Sequence, residues 1–233
     1  MTIYRLDDVL CGATDVHLVL WQNTTVHRAL VEPLNALQRA AAAAGFDLAV
    51  ASGARSFDRQ LAIWNDKAEG RRPVLDDAGR PLDLTAMTAA ARVRAILRFS
   101  ALPGTSRHHW GTDVDVYDRA ALPPNYRLQL TPAECAPGGV LGEFHDWLSN
   151  HLASHFDFHR PYKSESVRGV AAEPWHLSHA PLARPLEAAL HEGVVARRLA
   201  TSELALKATV LSMLPAIFTE FVRVPPAPGA APR

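Results

Sequence analysis

Two short segments of the chain carry the residue types that hold catalytic metal ions. Residues 106–115 read SRHHWGTDVD and include His108 and Asp115, and residues 173–176 read EPWH and end at His176. A hydrolytic zinc ion commonly takes three imidazole or carboxylate ligands from the protein and leaves a fourth position for water. His108, Asp115 and His176 can supply that set of ligands.

Glu173 lies three residues before His176 and offers the carboxylate that such chemistry also needs. The metal lowers the pKa of its water, and a nearby carboxylate can remove the proton as the water attacks a carbonyl carbon. The spacing alone is weak evidence, because a histidine and an aspartate at this separation arise by chance in a chain with 11 histidines. Each histidine taken singly also fits a polar surface position or a hydrogen-bonded core position.

A third segment, SGARS at 52–56 followed by Gln60, completes an ordered set of motifs. The three segments together resemble the signature of the VanY-type D-alanyl-D-alanine carboxypeptidases. That zinc peptidase family reads S-G-Y-R-S with a later Gln, then S-x-H-x-x-G-x-A-x-D, then E-P-W-H, and includes D-Ala-D-Ala dipeptidases and phage cell-wall endopeptidases. The resemblance covers about residues 45–180. The matching positions are Ser52, Gly53, Arg55, Ser56, Gln60, Ser106, His108, Gly111, Asp115 and 173–176.

The resemblance implies a role for each matching side chain. It implies that His108, Asp115 and His176 bind one zinc ion per chain and that Glu173 is the general base. It also implies that Arg55, a permanently charged donor, stabilises the developing oxyanion.

The resemblance further implies two residues that contact the substrate. Gln60 and Ser106 match family positions that contact the peptide or the terminal carboxylate of the substrate. Gly111 would allow a close backbone turn beside the metal.

The chain departs from the family pattern at two positions. Asp113 replaces a small alanine, and Ala54 replaces a tyrosine that forms one wall of the substrate pocket. Alternate residues of a strand point to the same face, so Asp113 is expected to share the cleft face with Asp115. The alternative is a local kink that turns Asp113 to solvent.

The remaining histidines and the cysteines are not expected to bind metal. His109 is expected beside the site or at the surface. His179 is not expected to bind the metal, because a fourth protein ligand is not required. Three further histidines recur every four residues, a spacing that favours one face of a helix, either polar or packed against the protein: His151, His155 and His159. Cys11 and Cys135 lack the spacing of a thiolate site and are expected to be free, buried thiols.

Composition and hydropathy argue against a nucleic-acid-binding protein and against a membrane-spanning one. The 24 basic residues balance the 24 acidic ones, which argues against a nucleic-acid partner. No apolar run approaches the length of a membrane span. The N-terminus lacks a basic start followed by an apolar stretch, so the chain as written is expected in the cytoplasm, although the family often acts in the periplasm or cell wall.

The pattern of elements favours an α+β fold, because helices and short strands mix without regular βαβ alternation. The resemblance implies a small antiparallel sheet flanked by helices, as in Hedgehog and D-Ala-D-Ala metallopeptidases. We predict one domain over 1–222, with the motifs in 45–180, C-terminal helices in 182–222 and a disordered proline-rich tail at 223–233. The predicted helices are 24–44, 56–69, 85–99, 143–156 and one or two in 182–222. The predicted strands lie within 46–55, 113–117 and 167–178; residues 70–83 are expected to form a loop or a small hairpin, and residues 118–140 a loop.

The resemblance implies hydrolysis of a peptide bond near a D-amino acid in peptidoglycan-derived peptides, with release of a C-terminal D-Ala. The expected partner is a peptidoglycan stem peptide or another D-Ala-terminated peptide. One alternative is an endopeptidase that cuts inside the stem peptide. Another is a non-catalytic zinc-containing binding module, like Hedgehog domains, although Glu173 and Arg55 would be superfluous in such a module.

Overall fold

A four-stranded antiparallel sheet lies at the centre of the computed structural model, which describes residues 5–163 and 169–223. The order of its strands is β3-β4-β6-β5, and a separate hairpin is formed by β1 and β2. The strands are β1 (Leu18–Trp21), β2 (Thr24–His27), β3 (Leu48–Ser52), β4 (Asp113–Asp118), β5 (Phe158–His159) and β6 (His176–His179).

Helices surround this sheet. The α-helices are α1 (Leu6–Leu10), α2 (Val31–Ala43), α3 (Phe57–Ala68), α4 (Ala89–Leu97), α5 (Pro132–Cys135), α6 (Gly142–His155), α7 (Ala180–Ala189), α8 (Glu192–Ala200) and α9 (Lys207–Ile217). Short 3₁₀ turns occupy Arg28–Leu30, Leu84–Ala86 and Arg107–Trp110, and a π-helical turn, Phe218–Val222, follows α9. The α+β prediction is confirmed.

The two faces of the sheet differ in chemistry. On β4 and β6, Val114, Val116 and Leu177 are fully buried in an apolar cluster with residues of α2 and α6. Since strand side chains alternate between faces, Asp115 and His176 project from the opposite face. The apolar face therefore anchors the sheet, and the other face is free to carry polar chemistry.

A second apolar cluster joins the C-terminal helices to α3 and α4. Trp64 and Ile96 pack there with Val195 and Leu214, all of them buried. The indole nitrogen of Trp64 also donates to the carbonyl of Ala205 (3.0 Å). This cluster holds α3 in place, and α3 follows the segment that contains Arg55.

The strand register brings the three sequence motifs together. Asp115 pairs with Ser52 on one side and with His176 on the other. A register shift between Val50 and Ser52 ends regular pairing just before the SGARS segment. One residue from each motif therefore lies side by side on neighbouring strands.

Several predicted boundaries are wrong. Residues 24–27 form β2 rather than the start of a helix, because β-branched Thr24, Thr25 and Val26 favour a strand and Val26 pairs with Val19. The predicted helix at 85–99 is confined to α4 after a 3₁₀ turn, and 182–222 contains parts of three α-helices rather than one or two.

The prediction for 167–178 is wrong for most of its length. Only the residues from His176 onward form a strand, and those from Gly169 to Trp175 lie outside regular strands. Residues 167–168 and the predicted tail from 224 onward lie outside the described residues. The single-domain organisation stays a prediction. Within the described part of the chain, no helix has both the length and the apolar character needed to cross a membrane.

We expect Leu177→Ala to lower the free energy of unfolding by about 2–5 kcal/mol, because it leaves a cavity in the apolar face beneath the site. Urea denaturation of wild type and variant measures this. Leu20→Ala is the control, because Leu20 is 75% exposed and its loss should change stability by no more than about 0.5 kcal/mol. Equal losses in both variants would contradict the assignment of the buried face.

Candidate metal centre

Three buried side chains converge on the polar face of the sheet. His108, Asp115 and His176 each offer one ligand atom, and these atoms lie within 4.8 Å of one another. Nε2 of His108 is 3.4 Å from Oδ2 of Asp115, and Nδ1 of His176 is 3.3 Å from Oδ1 of Asp115. The three residues predicted from sequence are therefore brought together in a geometry that could hold a metal ion.

Local backbone structure places His108 against the strands. His108 lies in the 3₁₀ turn before β4, and that turn ends at Gly111, which has a left-handed φ of 66°. A Cβ on Gly111 would lie 2.5 Å from a methyl carbon of Leu18 and 2.7 Å from the backbone nitrogen of His27. Only glycine fits this turn, which confirms the expected close approach.

An acceptor-only partner identifies one donating nitrogen in each histidine. Nδ1 of His108 lies 2.9 Å from the carbonyl oxygen of Gly53, so that nitrogen must donate and Nε2 keeps its lone pair toward Asp115. Nε2 of His176 lies 3.1 Å from Oδ1 of Asp113 and donates in the same way. In the neutral ring, Nδ1 of His176 then presents its lone pair to the centre, as metal-binding histidines do.

When His176 is neutral, the centre is therefore lined by atoms that accept but do not donate. Nδ1 of His176 and Oδ1 of Asp115 are buried and have no hydrogen-bonding partner in the described part of the chain. Burial would lower the pKa of His176, but hydrogen bonding to Asp113, Asp115 and Glu173 outweighs it and raises the pKa well above its ordinary value, so that without a metal ion Nδ1 takes up a proton instead. An arrangement of this kind requires a positive charge at its centre, and the residues present fit a metal cation.

Asp113 lies behind the ring of His176 and is fully buried. It does share the sheet face of Asp115, but it neither points to solvent nor lines the cleft. Its carboxylate accepts from Nε of Arg107 (2.7 Å) and from the hydroxyl of Thr112 (2.7 Å). Burial would raise the pKa of Asp113, but Arg107 and His176 outweigh it and hold the pKa well below its usual value. Asp113 therefore remains an ionised acceptor for His176.

Arg107, which the sequence did not single out, secures this buried carboxylate. Besides Asp113, its guanidinium contacts Oε2 of Glu187 (3.2 Å) and donates to the hydroxyl of Ser178 (2.8 Å). Asp113 and Arg107 form a buried ion pair with 0% and 4% of their side chains exposed. A charged pair at such depth is tolerated because each member has several further partners.

A tight turn brings Glu173 beside His176. The amide of His176 donates to the carbonyl of Glu173 (3.1 Å), and Oε2 of Glu173 lies 3.3 Å from Nδ1 of His176. In a regular strand these two side chains would point to opposite faces, and the turn across Pro174 removes that conflict. The Glu173 side chain is 19% exposed and lines the cleft, so Glu173 contacts the centre and also reaches the space where a substrate would lie.

Arg55 is held rigidly in the same cleft. Its guanidinium donates to Oε1 of Gln60 (2.9 Å) and to the hydroxyl of Ser52 (3.0 Å). Burial lowers the pKa of Arg55, although Asp115 and Glu173 act in the opposite direction.

Gln60 supports Arg55 rather than lining the cleft. It is fully buried, and its amide nitrogen donates to the carbonyl of Ala101 (2.7 Å) while its oxygen accepts from Arg55. Both ends of the amide are occupied, which argues against the predicted contact with a substrate. Ser106, the other predicted contact, does line the cleft.

His109 forms a hydrogen bond with the backbone of Arg55. It is buried, its Nδ1 lies 2.6 Å from the carbonyl of Arg55, and its Nε2 accepts from the amide of Gly104 (3.0 Å). Burial lowers the pKa of His109 to about 4, so the ring stays neutral. His109 is thus beside the site and not part of the three-residue group, as predicted.

The other histidines that were not expected to bind metal also lie outside the group of His108, Asp115 and His176. His179 and the described histidines of the four-residue repeat, His151 and His159, are not part of it, and the side chain of His155 lies outside the described residues. Cys11 and Cys135 are buried and free, as expected.

The centre opens into a cleft of about 390 Å³. Besides the predicted residues, its lining includes Lys67, Tyr162 and Trp175, none of which was assigned a role from sequence. The ring of Tyr162 lies 5.1 Å from that of His176, and burial raises the pKa of Tyr162 to about 12. Trp175 could have been found from its place in the EPWH motif, whereas Lys67 lies in α3 without any motif.

Two proteins of Haemophilus influenzae, both described only as uncharacterized, resemble the chain. One is 45% identical over 83 residues, which cover 35% of this chain and 63% of that protein. The other is 42% identical over 100 residues, which cover 41% of this chain and 68% of that protein. The match to the first therefore spans less than two thirds of its length.

Solved structures share the fold. VanYB in complex with D-alanine-D-alanine is 24% identical, with a TM-score of 0.50 over 82% of this chain and 91% of that chain. The LdcB LD-carboxypeptidase is 20% identical, with a TM-score of 0.52 over 77% of each chain.

A family model provides the broadest match. The VanY model, described as D-alanyl-D-alanine carboxypeptidase, matches residues 23–182, which contain all three motifs and more than half of the chain. The chain therefore belongs to the VanY family of D-alanyl-D-alanine carboxypeptidases.

Proposed function

We propose that this chain is a zinc-dependent peptidase that releases D-alanine from the carboxyl end of peptidoglycan-derived peptides. The observation that carries the proposal is the convergence of acceptor atoms from His108, Asp115 and His176, with Glu173 at its edge. Membership of the VanY family supports a peptidase that acts on peptides ending in D-alanine.

The donor set favours zinc among the metals. Two imidazole nitrogens and one carboxylate oxygen, from His108, Asp115 and His176, are ligands that catalytic zinc accepts, with a further position left open. Zinc held there would polarise a carbonyl group and lower the pKa of a water molecule.

Glu173 is placed to move the proton. Its partly exposed carboxylate accepts a proton from the water as the water oxygen attacks the carbonyl carbon of the peptide. The same carboxyl group then gives that proton to the departing amine nitrogen as the C–N bond breaks. The products are a shortened peptide with a new carboxylate and a free amino acid.

Arg55 is placed to stabilise the negative charge that develops on the carbonyl oxygen. Gln60 and Ser52 hold its guanidinium before any substrate arrives, so little reorganisation is needed during the reaction. A positive charge in a half-buried cleft acts more strongly than it would in water.

The residues around the centre favour an enzyme over a binding module. A module that only binds a partner has no use for a carboxylate beside the metal ligands or for a cation fixed in the cleft. Glu173 and Arg55 both line that cleft with His108 and His176. The stem-peptide endopeptidase remains the alternative within enzymes, since the same centre would serve it.

We expect protein purified without chelator to contain about one zinc ion per chain, and His176→Ala to lose it. Elemental analysis measures the metal content. His191→Ala is the control, because His191 is exposed and distant in sequence from the motifs. Full zinc content in His176→Ala would contradict the assignment of that ligand.

We expect Glu173→Gln to keep its zinc and to lose at least about 10²-fold in kcat, because an amide cannot accept the proton of water. Release of D-alanine from a D-Ala-D-Ala peptide gives the rate, and metal analysis of the same sample serves as the control. A rate within a few-fold of wild type would assign the base to another group.

We expect Asp113→Ala to weaken zinc binding by about 10- to 100-fold, because His176 loses the acceptor that orients its ring. Competition with a chromogenic chelator measures the dissociation constant of zinc without reference to activity. Asp113→Asn keeps an oxygen that can accept from His176 and should lose less affinity. Unchanged affinity in Asp113→Ala would show that the contact does not orient the ligand.

A further inference from the structure

Part of the cleft carries cations that have no carboxylate partner. Lys67 lines the cleft from α3, and its ammonium donates to the hydroxyl of Ser100 (2.6 Å). Arg72, four residues beyond the end of α3, lines the same cleft. Within residues 5–163 and 169–223, neither side chain forms an ion pair with an aspartate or glutamate.

Neighbouring cations outside the cleft behave differently. Arg71 pairs with Asp66 (2.7 Å) and also with Glu69, and Arg98 pairs with Asp77 (2.7 Å). Carboxylates are therefore within reach of this part of the chain, yet they pair with cations that lie outside the cleft. In this part of the chain, Lys67 and Arg72 line the cleft without a carboxylate partner, whereas Arg71 and Arg98, outside the cleft, each have one.

The carboxylates that line the cleft do not compensate for these charges. Asp115 belongs to the metal centre, and Glu173 is beside it. Burial lowers the pKa of Lys67 to about 8, and the positive charges of Arg72 and Arg55 add to this effect against the weaker opposing influence of Glu173. A half-buried ammonium without a counterion is costly, and a bound anion would remove that cost.

We propose that Lys67, with Arg72, forms a subsite for a carboxylate of the substrate, separate from the centre that holds the scissile bond. The ammonium supplies a compact charge, and the hydroxyl of Ser100, which accepts from Lys67, keeps its own proton to donate to the same carboxylate. Arg72, whose side chain is exposed, adds a second positive charge at the mouth. The inference rests on the proposed function, because it describes the substrate of that cleft.

Two carboxylates of a peptidoglycan-type peptide have the required chemistry. One is the free carboxylate of the terminal D-alanine, and the other is a side-chain carboxylate of a diacid residue further along the peptide. Both would contact Lys67 as an anion accepting hydrogen bonds, so the peptides chosen for the test must separate them.

The test measures binding of short N-acetylated peptides to the zinc-loaded protein by calorimetry, with Glu173→Gln as the common background so that no turnover occurs. The peptides end in D-Ala-D-Ala as the free acid or the amide, and carry a neutral or an acidic residue before that pair. We expect removal of the recognised carboxylate to weaken binding by about 10- to 100-fold. The pair of peptides that shows the loss identifies which carboxylate is bound.

The variants assign that preference to the subsite. Lys67→Met should abolish most of it, Lys67→Arg should keep it, and Arg72→Met, at an exposed position, should reduce it. Arg71→Met is the matched control, because Arg71 is a neighbouring cation with carboxylate partners of its own. If the only role of Lys67 were to connect α3 to Ser100 through its hydrogen bond, Lys67→Met would lower the melting temperature and weaken the binding of all peptides equally.

The outcomes separate the subsite from the proposed function. A preference for carboxylate-bearing peptides that Lys67→Met leaves unchanged overturns the subsite, as does equal weakening of all four peptides. Hydrolysis of none of these peptides by the wild-type protein overturns the proposed function. Binding that depends on Lys67 would still support the subsite in that case, since calorimetry needs no turnover.

Discussion

The pairing of β4 with β6, which sets Asp115 opposite His176, is the constraint on which the site depends. A slip of one residue would send these side chains to the apolar face and destroy the centre. The register is secured from the other face, where Val114 and Leu177 pair directly and are fully buried. The hydrophobic core thus determines the position of the polar atoms, although it does not contact the metal centre.

Charge at the site is divided between two buried aspartates with different partners. Asp113 is neutralised within the protein by Arg107, and its remaining role is to accept a hydrogen bond from His176. Asp115 has His108 and His176 as its neighbours, and one of its buried oxygens has no hydrogen-bonding partner in the described chain. The same residue type therefore orients the ring of His176 at one position and leaves an acceptor oxygen open at the candidate metal centre at the other.

The motifs predicted the central residues of the site because their chemistry depends on residue type and order, both of which the sequence displays. The fold class followed from the same evidence. Other features depend on a partner that the sequence does not display. Gln60 was expected to contact a substrate, but its surroundings turn both ends of its amide inward. Lys67 has no motif, and only tertiary packing brings it to the cleft.

Asp113, where the chain departs from the family pattern, depends on several other residues that accompany it. A carboxylate without partners at this depth would be strongly destabilising, so Asp113 requires the guanidinium of Arg107 and the hydroxyl of Thr112. Arg107 in turn requires Ser178, which the register places opposite Asp113 on β6. Asp113 also accepts a hydrogen bond from His176, so the additional carboxylate orients the ring of that histidine. This explains how a buried aspartate can occupy a position where the family has alanine.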